Sequence, residues 1–201
     1  MTQRSMPLEG AQSIEVRAGV DVHVLGTDAP TIHVSSQGFW GLTIERRGDV
    51  IRVSLGGTGE VRVPRGVPLQ VHAGRSATIE GVTDVVQAYT GWNLSLTSTA
   101  TLLQANAGGA MNVVCARLGP DLAKVGAGRD LRWQVAELND TRLAIHDIGG
   151  RWEIAFGSGS RALQLNAGGD VTIVTSQPYR VTSPNGIVGL VETPAPASPA
   201  G

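Results

Sequence analysis

A repeated segment constrains the fold of this chain more than any other feature of its sequence. Residues 103–114 (LQANAGGAMNVV) align with residues 163–174 (LQLNAGGDVTIV), sixty positions later, and share Leu, Gln, Asn, Ala and the Gly-Gly pair. Two weaker copies lie between them, at residues 124–135 and 144–154, so the repeating unit has about twenty residues. A unit this short cannot bury an apolar face alone, whereas stacked copies form a continuous core. The repeat therefore predicts a stacked, repetitive fold.

The local pattern identifies the repeated element as a strand. β-Branched residues recur at period two, as in Val20, Val22 and Val24, which keeps the apolar side chains on one face. No window combines a 3.6-residue apolar stripe with capping signals at both ends. We therefore predict an all-β, single-domain β-solenoid with about twenty residues per coil.

Successive coils of a solenoid pair in register, so equivalent positions form columns. We expect one such column to contain Ala105, Val125, Ile145 and Leu165. The Asn and Gly residues of each repeat are expected to form the corners between coil strands. Gly permits tight turns, and the Asn side chain can bond its own backbone there. His146 shares the position of Asn106. The predicted corner residues are Asn106, Gly108, Gly109, Gly128, Gly149, Asn166, Gly168 and Gly169.

Turn signals and composition divide the chain into four segments. Residues 1–12 are expected to form a flexible leader, and residues 13–66 to form antiparallel strands and hairpins that join the solenoid. Residues 67–192 are expected to hold the coils, with a cap strand at residues 187–191. Residues 193–201 (TPAPASPAG) predict a disordered tail, because a Pro- and Ala-rich segment has little to pack.

The N-terminal strands, the segment Val63-Pro-Arg-Gly-Val-Pro-Leu69 and the coils opened by Ala-Gly or Gly-Gly pairs carry a resemblance. Over about residues 13–180 the chain resembles the bacterial "putative-adhesin" family of β-solenoids, sometimes called Toastrack. The resemblance implies a right-handed solenoid entered from antiparallel strands. It also implies a role in adhesion, envelope sensing or scaffolding without established chemistry. Members are often exported or tethered to a membrane, so the resemblance adds envelope association as an expectation.

Charge and hydropathy exclude several other classes of protein. The 16 Lys and Arg residues nearly balance the 17 Asp and Glu residues, for a net charge of −1, which gives no general drive toward nucleic acid. No stretch approaches the ~18 apolar residues of a membrane span, and residues 1–12 have no apolar signal region. As written, the chain is expected to be cytoplasmic, with no direct membrane insertion. Cys115 is the single cysteine, so it forms no internal disulfide and is expected to be buried.

No motif nominates a catalytic residue, a cofactor site or a metal site. The four histidines show no HxH, HExxH or Cys/His spacing, and His23 is expected to be an exposed surface residue. The Gly-Gly pairs match no phosphate-binding loop. A polysaccharide-degrading enzyme would need Asp130, Asp147 or Asp170 to converge with an arginine in a groove, and we expect these residues to be solvated corner charges instead.

Three tryptophans form either an outward aromatic strip or part of the core. Trp92, Trp133 and Trp152 lie on or beside the expected coil strands. An outward strip would stack on sugar rings. Trp133 and Trp152 alternate in phase with aliphatic residues, which favours the core for these two.

The sequence thus predicts a non-enzymatic binding or scaffold module, whose lateral face holds a protein or glycan partner. The first alternative is a filament-forming protein that self-associates through open solenoid ends, because the terminal coil of a stack exposes unpaired backbone groups. The second alternative is the polysaccharide-active enzyme considered above.

Overall fold

The computed structural model describes residues 1–37, 41–118, 123–137, 143–146, 152–158, 163–164, 171–175, 181–182 and 188–192. Every regular element in this part of the chain is a β-strand, as the all-β prediction requires. Nothing in it is a helix with the length and apolar character needed to cross a bilayer.

The strands are numbered in chain order. The first eleven are β1 (Thr2–Pro7), β2 (Ser13–Ala18), β3 (Val22–Thr27), β4 (Thr31–Gln37), β5 (Leu42–Arg47), β6 (Val50–Leu55), β7 (Thr58–Pro64), β8 (Leu69–Ala73), β9 (Ala77–Glu80), β10 (Val85–Thr90) and β11 (Leu94–Thr97). The remainder are β12 (Thr101–Ala107), β13 (Met111–Leu118), β14 (Ala123–Ala127), β15 (Leu131–Glu137), β16 (Leu143–His146), β17 (Trp152–Ser158), β18 (Leu163–Gln164), β19 (Val171–Thr175), β20 (Val181–Thr182) and β21 (Val188–Glu192).

Most of these strands pair in two ladders. Ladder A has the order β5-β6-β2-β8-β10-β12-β14-β16. Ladder B has the order β1-β4-β7-β3-β9-β11-β13-β15-β17-β19-β21. From β6 to β17 the chain alternates between the ladders, so that each unit, such as β8 with β9, adds one strand to each. Because β12 also pairs with the end of β13, nineteen strands of the described part form one connected sheet.

The pairing between successive repeats is parallel and in register. Ala105 pairs with Val125, and Val125 pairs with Ile145, as the repeat predicts. Leu165, the next residue of that expected column, lies outside the described residues. The alternation of apolar and polar residues in each strand therefore produces continuous inward and outward columns along both ladders.

The N-terminal third departs from the predicted antiparallel arrangement. Antiparallel pairing is confined to β1 with β4, β4 with β7, and β5 with β6. Strands β2, β3, β6 and β7 pair in parallel, like the later units. Residues 1–12, expected as a flexible leader, contain β1, which pairs with β4 along its whole length. The alternating pattern in the sequence identifies strands but carries no information about their direction of pairing, so it could not show that β2, β3, β6 and β7 pair in parallel.

The first unit in the chain is not the first unit in the stack. β2 and β3 lie between β6 and β7 on one side and β8 and β9 on the other. Beyond β6 and β7, the antiparallel strands β1, β4 and β5 cover this end of both ladders.

The core lies between the inward columns of the two ladders. Val16, Val71 and Ala88 contribute from ladder A, and Val24 and Ile79 contribute from ladder B, all with 0% of their surface exposed. Full burial of a valine or isoleucine side chain contributes about 1.5–3 kcal/mol.

A column of glycines lines the bend where each unit leaves ladder A. A Cβ atom built on any of the five glycines after the first would lie 2.2–2.6 Å from the carbonyl oxygen of the glycine in the neighbouring unit. None of these glycines has a positive φ, so the requirement for glycine is steric and arises from the close approach of two backbones. In the order of the stack, the column contains Gly56, Gly19, Gly74, Gly91, Gly108 and Gly128. Gly56 is the first member, and its carbonyl oxygen is the atom that a Cβ on Gly19 would approach.

Candidate functional site

The outward surface of ladder B carries a row of hydroxyl and amide side chains. Thr78, Ser95 and Asn112 lie in register on β9, β11 and β13, and Arg132 continues the row on β15. Ser76, Asn93 and Asp130 form a second row at the adjoining bend, where their carbonyls accept bonds from the first residues of β3, β9 and β13. We call these seven residues the polar face.

The polar face lines a shallow groove with a volume of about 550 Å³. Parallel strands lie about 4.7–4.9 Å apart, so each unit presents a similar polar group at that interval. Asn93 is oriented by its backbone surroundings, because its Oδ1 accepts a 2.9 Å hydrogen bond from the Ala110 amide. The groove therefore offers hydrogen-bond donors and acceptors at a regular interval, and Asn93 is held in a fixed orientation among them.

The residues that directly follow the glycine column form a strip beside this groove, and three of the four have large side chains. Arg75, Trp92, Gly109 and Arg129 follow one another in successive units, linked by backbone hydrogen bonds of 2.7, 2.7 and 3.2 Å. The Arg129 guanidinium carbon lies 4.5 Å from the centre of the Trp92 ring, a cation–π contact. We call these four residues the corner strip.

The tryptophans do not form the continuous outward strip considered from the sequence. Trp133 is 0% exposed, and its Nε1 donates a 3.3 Å bond to the Met111 sulfur in the core. Trp92 is 41% exposed at the corner. Trp152 occupies the register position of the inward Leu131. The alternation within the strand correctly predicted the burial of Trp133, while Trp92 lies outside a strand and escapes that pattern.

The outward surface of ladder A carries a stacked pair of aromatic rings. The rings of His72 and Tyr89 stack at 4.8 Å with an interplanar angle of 9°. The Tyr89 hydroxyl donates a hydrogen bond to the Gln104 side-chain oxygen. Burial lowers the pKa of His72, the charge of Arg17 lowers it further, and Glu15 opposes both effects. Burial also raises the pKa of Tyr89, so both rings remain uncharged at neutral pH.

A buried carboxylate anchors the arginines beside this pair. Arg17 Nε donates to one oxygen of Glu15, and Arg52 Nε donates to the other at 2.8 Å. Burial alone raises the pKa of Glu15, but the two arginines outweigh it and hold the pKa below its ordinary value. The Nε groups of both arginines are therefore used in binding Glu15.

His23 was expected to be exposed and is instead half-buried on ladder B, in register with Glu60 and Thr78. Its Nε2 atom is buried without a hydrogen-bond partner and lies 3.5 Å from a carboxylate oxygen of Glu80, in a geometry that makes no hydrogen bond. Within the described residues, no three His, Cys, Asp or Glu side chains come together as a set that would hold a metal ion.

Several predicted corner residues occupy different places. Gly108 and Gly128 lie at the bend and belong to the glycine column, and Gly109 follows in the corner strip. Asn106 is not at a corner: it is a strand residue of β12, paired with Tyr89 and Gly126, because the bend starts only after Ala107. Gly149, Asn166, Gly168 and Gly169 lie outside the described residues.

The three aspartates that the enzyme alternative requires are described only in part. Asp130 is exposed at the polar face, and Asp147 and Asp170 lie outside the described residues. Arg75 and the contact of Arg129 with Trp92 were not anticipated. A signal for them exists in the sequence, because each residue directly follows a glycine of the column, in Gly74-Arg75, Gly91-Trp92 and Gly128-Arg129.

Comparison with solved structures finds a match, whereas the two comparisons by sequence find none. No family model matches the chain, and no curated protein matches it. Its fold is similar to a crystal structure described as a putative adhesin from Parabacteroides distasonis ATCC 8503, with a TM-score of 0.36 and 12% identity over 96% of this chain and 94% of that one. At this score and identity, the likeness establishes neither a shared family nor a shared function.

Proposed function

We propose that the chain is a β-solenoid that serves as a non-enzymatic, adhesin-like binding module, and that its polar face holds a glycan. The observation that carries this proposal is the in-register row of Thr78, Ser95 and Asn112 along successive strands. Backbone pairing fixes the positions of these side chains, so a ligand meets a surface that is already ordered.

A repeating surface favours a repeating ligand. Each unit offers one or two hydroxyl or amide groups, and an oligosaccharide that lies along the stack presents hydroxyls at comparable intervals. Neutral polar groups exchange bonds with water for bonds with sugar hydroxyls, so each bond adds little alone and affinity accumulates over several units. The second possible occupant of this face is a protein, which would bind through the same groups.

The test is a binding measurement with matched variants on the two surfaces. We expect immobilised or soluble oligosaccharides to bind the protein, with Asn112→Ala and Ser95→Ala each weakening affinity about 2–10-fold, in line with the loss of one hydrogen bond. Gln87→Ala, on the outward surface of ladder A, serves as the control and is expected to leave affinity unchanged.

Two outcomes would contradict the proposal. Failure of a broad oligosaccharide panel to bind would remove the glycan from the polar face. Loss of binding in Gln87→Ala, but not in Asn112→Ala, would move the site to ladder A. Thermal unfolding of each variant checks that the substitutions leave the fold intact.

A further inference from the structure

Trp92 is unusual among the large hydrophobic residues of the described part. Only Met1 and Trp92 are substantially exposed there, and Met1 is the chain start. An exposed indole that no core packing requires is typical of recognition surfaces, because it offers a rigid apolar face at low entropic cost. The corner strip around Trp92 is therefore the part of the described surface where we expect a ligand to bind.

The absence of a side chain at Gly109 shapes this corner. Gly109 lies in the unit between Trp92 and Arg129, and a Cβ there would approach Asn93 Oδ1 to 2.7 Å and the Trp92 carbonyl oxygen to 3.0 Å. The Arg129 side chain reaches back across this unit, which carries no side chain at Gly109, to lie over the Trp92 ring. The guanidinium is thereby held beside the indole in a defined position.

A second arginine precedes Trp92 in the corner strip. Arg75 belongs to the preceding unit, its side chain is 68% exposed, and its Nε forms a long ion pair with Asp21 Oδ1 at 3.8 Å. Arg132 of the polar face is also exposed. Arg75, Arg129 and Arg132 outnumber the neighbouring Asp21 and Asp130, so the local formal charge is positive although the chain as a whole carries −1.

We propose that the corner strip binds a carboxylate-bearing sugar, the hexuronate unit of an acidic polysaccharide. The part of the Trp92 ring that Arg129 leaves exposed packs against the apolar side of the sugar ring, and the planar guanidinium groups of Arg129 and Arg75 pair with carboxylates along the polysaccharide. This inference rests on the proposed function, because the rest of the sugar chain lies on the polar face. Asn93, which directly follows Trp92 and belongs to that face, connects the two surfaces.

The experiment compares two forms of one polymer. Oligogalacturonate and the same oligosaccharide with its carboxyl groups reduced to alcohols are titrated into the purified full chain by calorimetry. We expect the acidic form to bind more tightly, and its affinity to fall as salt is added. Arg129→Gln and Arg75→Gln are expected to weaken binding of the acidic form about ten- to a hundredfold and to change binding of the reduced form less than about twofold.

Trp92→Ala and a charge control complete the design. Trp92→Ala is expected to weaken both forms, because the ring contact does not depend on the carboxylate. Arg4→Gln removes the same charge from exposed strand β1 and is expected to change neither affinity. Because Arg75, Trp92 and Arg129 are exposed, their variants are expected to unfold at the wild-type temperature.

The outcomes separate this inference from the proposed function. Equal binding of both forms, with no effect of Arg129→Gln, overturns the corner site and leaves the glycan-binding polar face standing. Equal weakening by Arg4→Gln and Arg129→Gln also overturns it, because the effect would then be one of net charge. Absence of binding by either form overturns the corner site, whereas the proposed function is decided by the broad oligosaccharide panel described above.

Discussion

A Cβ atom on Gly91 would lie 2.2 Å from the carbonyl oxygen of Gly74. The same relationship recurs one unit further along, where a Cβ on Gly108 would lie 2.3 Å from the oxygen of Gly91. Backbone hydrogen bonds hold the units at this separation, since the Gly91 amide donates to the Ala73 carbonyl at 3.0 Å. The bend therefore admits no side chain unless neighbouring units move apart.

Gly91→Ala is expected to destabilise the protein by about 1–3 kcal/mol or more, because the clash is with backbone and not with a flexible side chain. Gly66→Ala is the matched control, since a Cβ at Gly66 would meet nothing within 4 Å. We expect that substitution to change the free energy of unfolding by less than about 1 kcal/mol. Urea denaturation measures both, and equal stability of the two variants would show that the units separate at little cost.

Glu15 is expected to make stability depend on acid. Because its pKa is lower in the folded state than the ordinary 4.5, the stabilisation is present above that value and is lost as pH falls through the folded-state pKa. Glu15→Gln is expected to cost about 1–3 kcal/mol at pH 7 and to flatten the acid limb of the stability curve.

The control for Glu15 is an exposed ion pair. Glu45 lies 2.8 Å from Arg47 with 43% of its side chain exposed, so Glu45→Gln is expected to change stability by less than about 1 kcal/mol. Denaturation curves at pH 3, 4, 5 and 7 compare the three proteins. An unchanged acid limb in Glu15→Gln would contradict the role assigned to its arginine partners.

His72 is expected to contribute at a higher pH. Its pKa is lowered from 6.5 by burial first and by Arg17 second, so the unfolded chain binds the proton more readily. Protonation therefore costs stability as pH falls below about 6.5. His72→Gln loses the ring contact with Tyr89, worth about 0.5–1.5 kcal/mol, but also loses this penalty. We expect its deficit relative to wild type to shrink between pH 7.5 and 5.5, and a constant deficit would exclude the effect.

Cys115 is expected to report on opening of the stack. It is 3% exposed, and burial raises the pKa of its thiol to about 12, so almost no reactive thiolate is present at pH 8. A thiol-specific disulfide reagent is expected to react about a hundredfold more slowly than with a free thiol. Reaction should accelerate in Gly91→Ala. Rapid reaction of the wild-type protein would show that β13 opens without general unfolding.

Strand β1 is expected to protect the end of ladder B. Removal of residues 1–8 would leave the β4 edge without its antiparallel partner and uncover apolar surface beneath Met6 and Leu8, which pack against the core. Uncovered strand edges template association. We expect light scattering to rise with concentration for the shortened chain and to stay flat for the full chain. Filaments of the full chain would instead favour the self-assembly predicted as an alternative from the sequence.

The sequence predicted columns better than it predicted corners. The twenty-residue offset correctly placed Ala105, Val125 and Ile145 in one column, because in-register stacking follows directly from a repeat. Asn106 was misplaced because its side-chain chemistry suits a turn as well as an outward strand position. The steric reason for glycine at the bend depends on a neighbouring unit about seventeen to twenty residues away, which local turn rules do not include.

The candidate site was the least predictable feature. Trp92 was noted as aromatic, but its contact with Arg129 joins residues of two different units, which the sequence alone does not place together. The order of the N-terminal units was equally hidden, since β2 and β6 show the same alternation whether they pair in parallel or antiparallel. Pairing direction is decided by the path of the chain between the strands.

The position of β2 and β3 inside the stack has a consequence for how such a chain is made and how it changes in length. Residues 13–27 are synthesised early, yet they obtain both neighbours only when residue 80 has been added. The N-terminal units must therefore assemble together, whereas each later unit needs only the one before it. We therefore expect the fold to tolerate duplication or deletion of a whole unit beyond β9, because the units on either side are similar and pair with each other. We expect the same change before β9 to prevent folding, because it removes a pairing partner of β2 or β3.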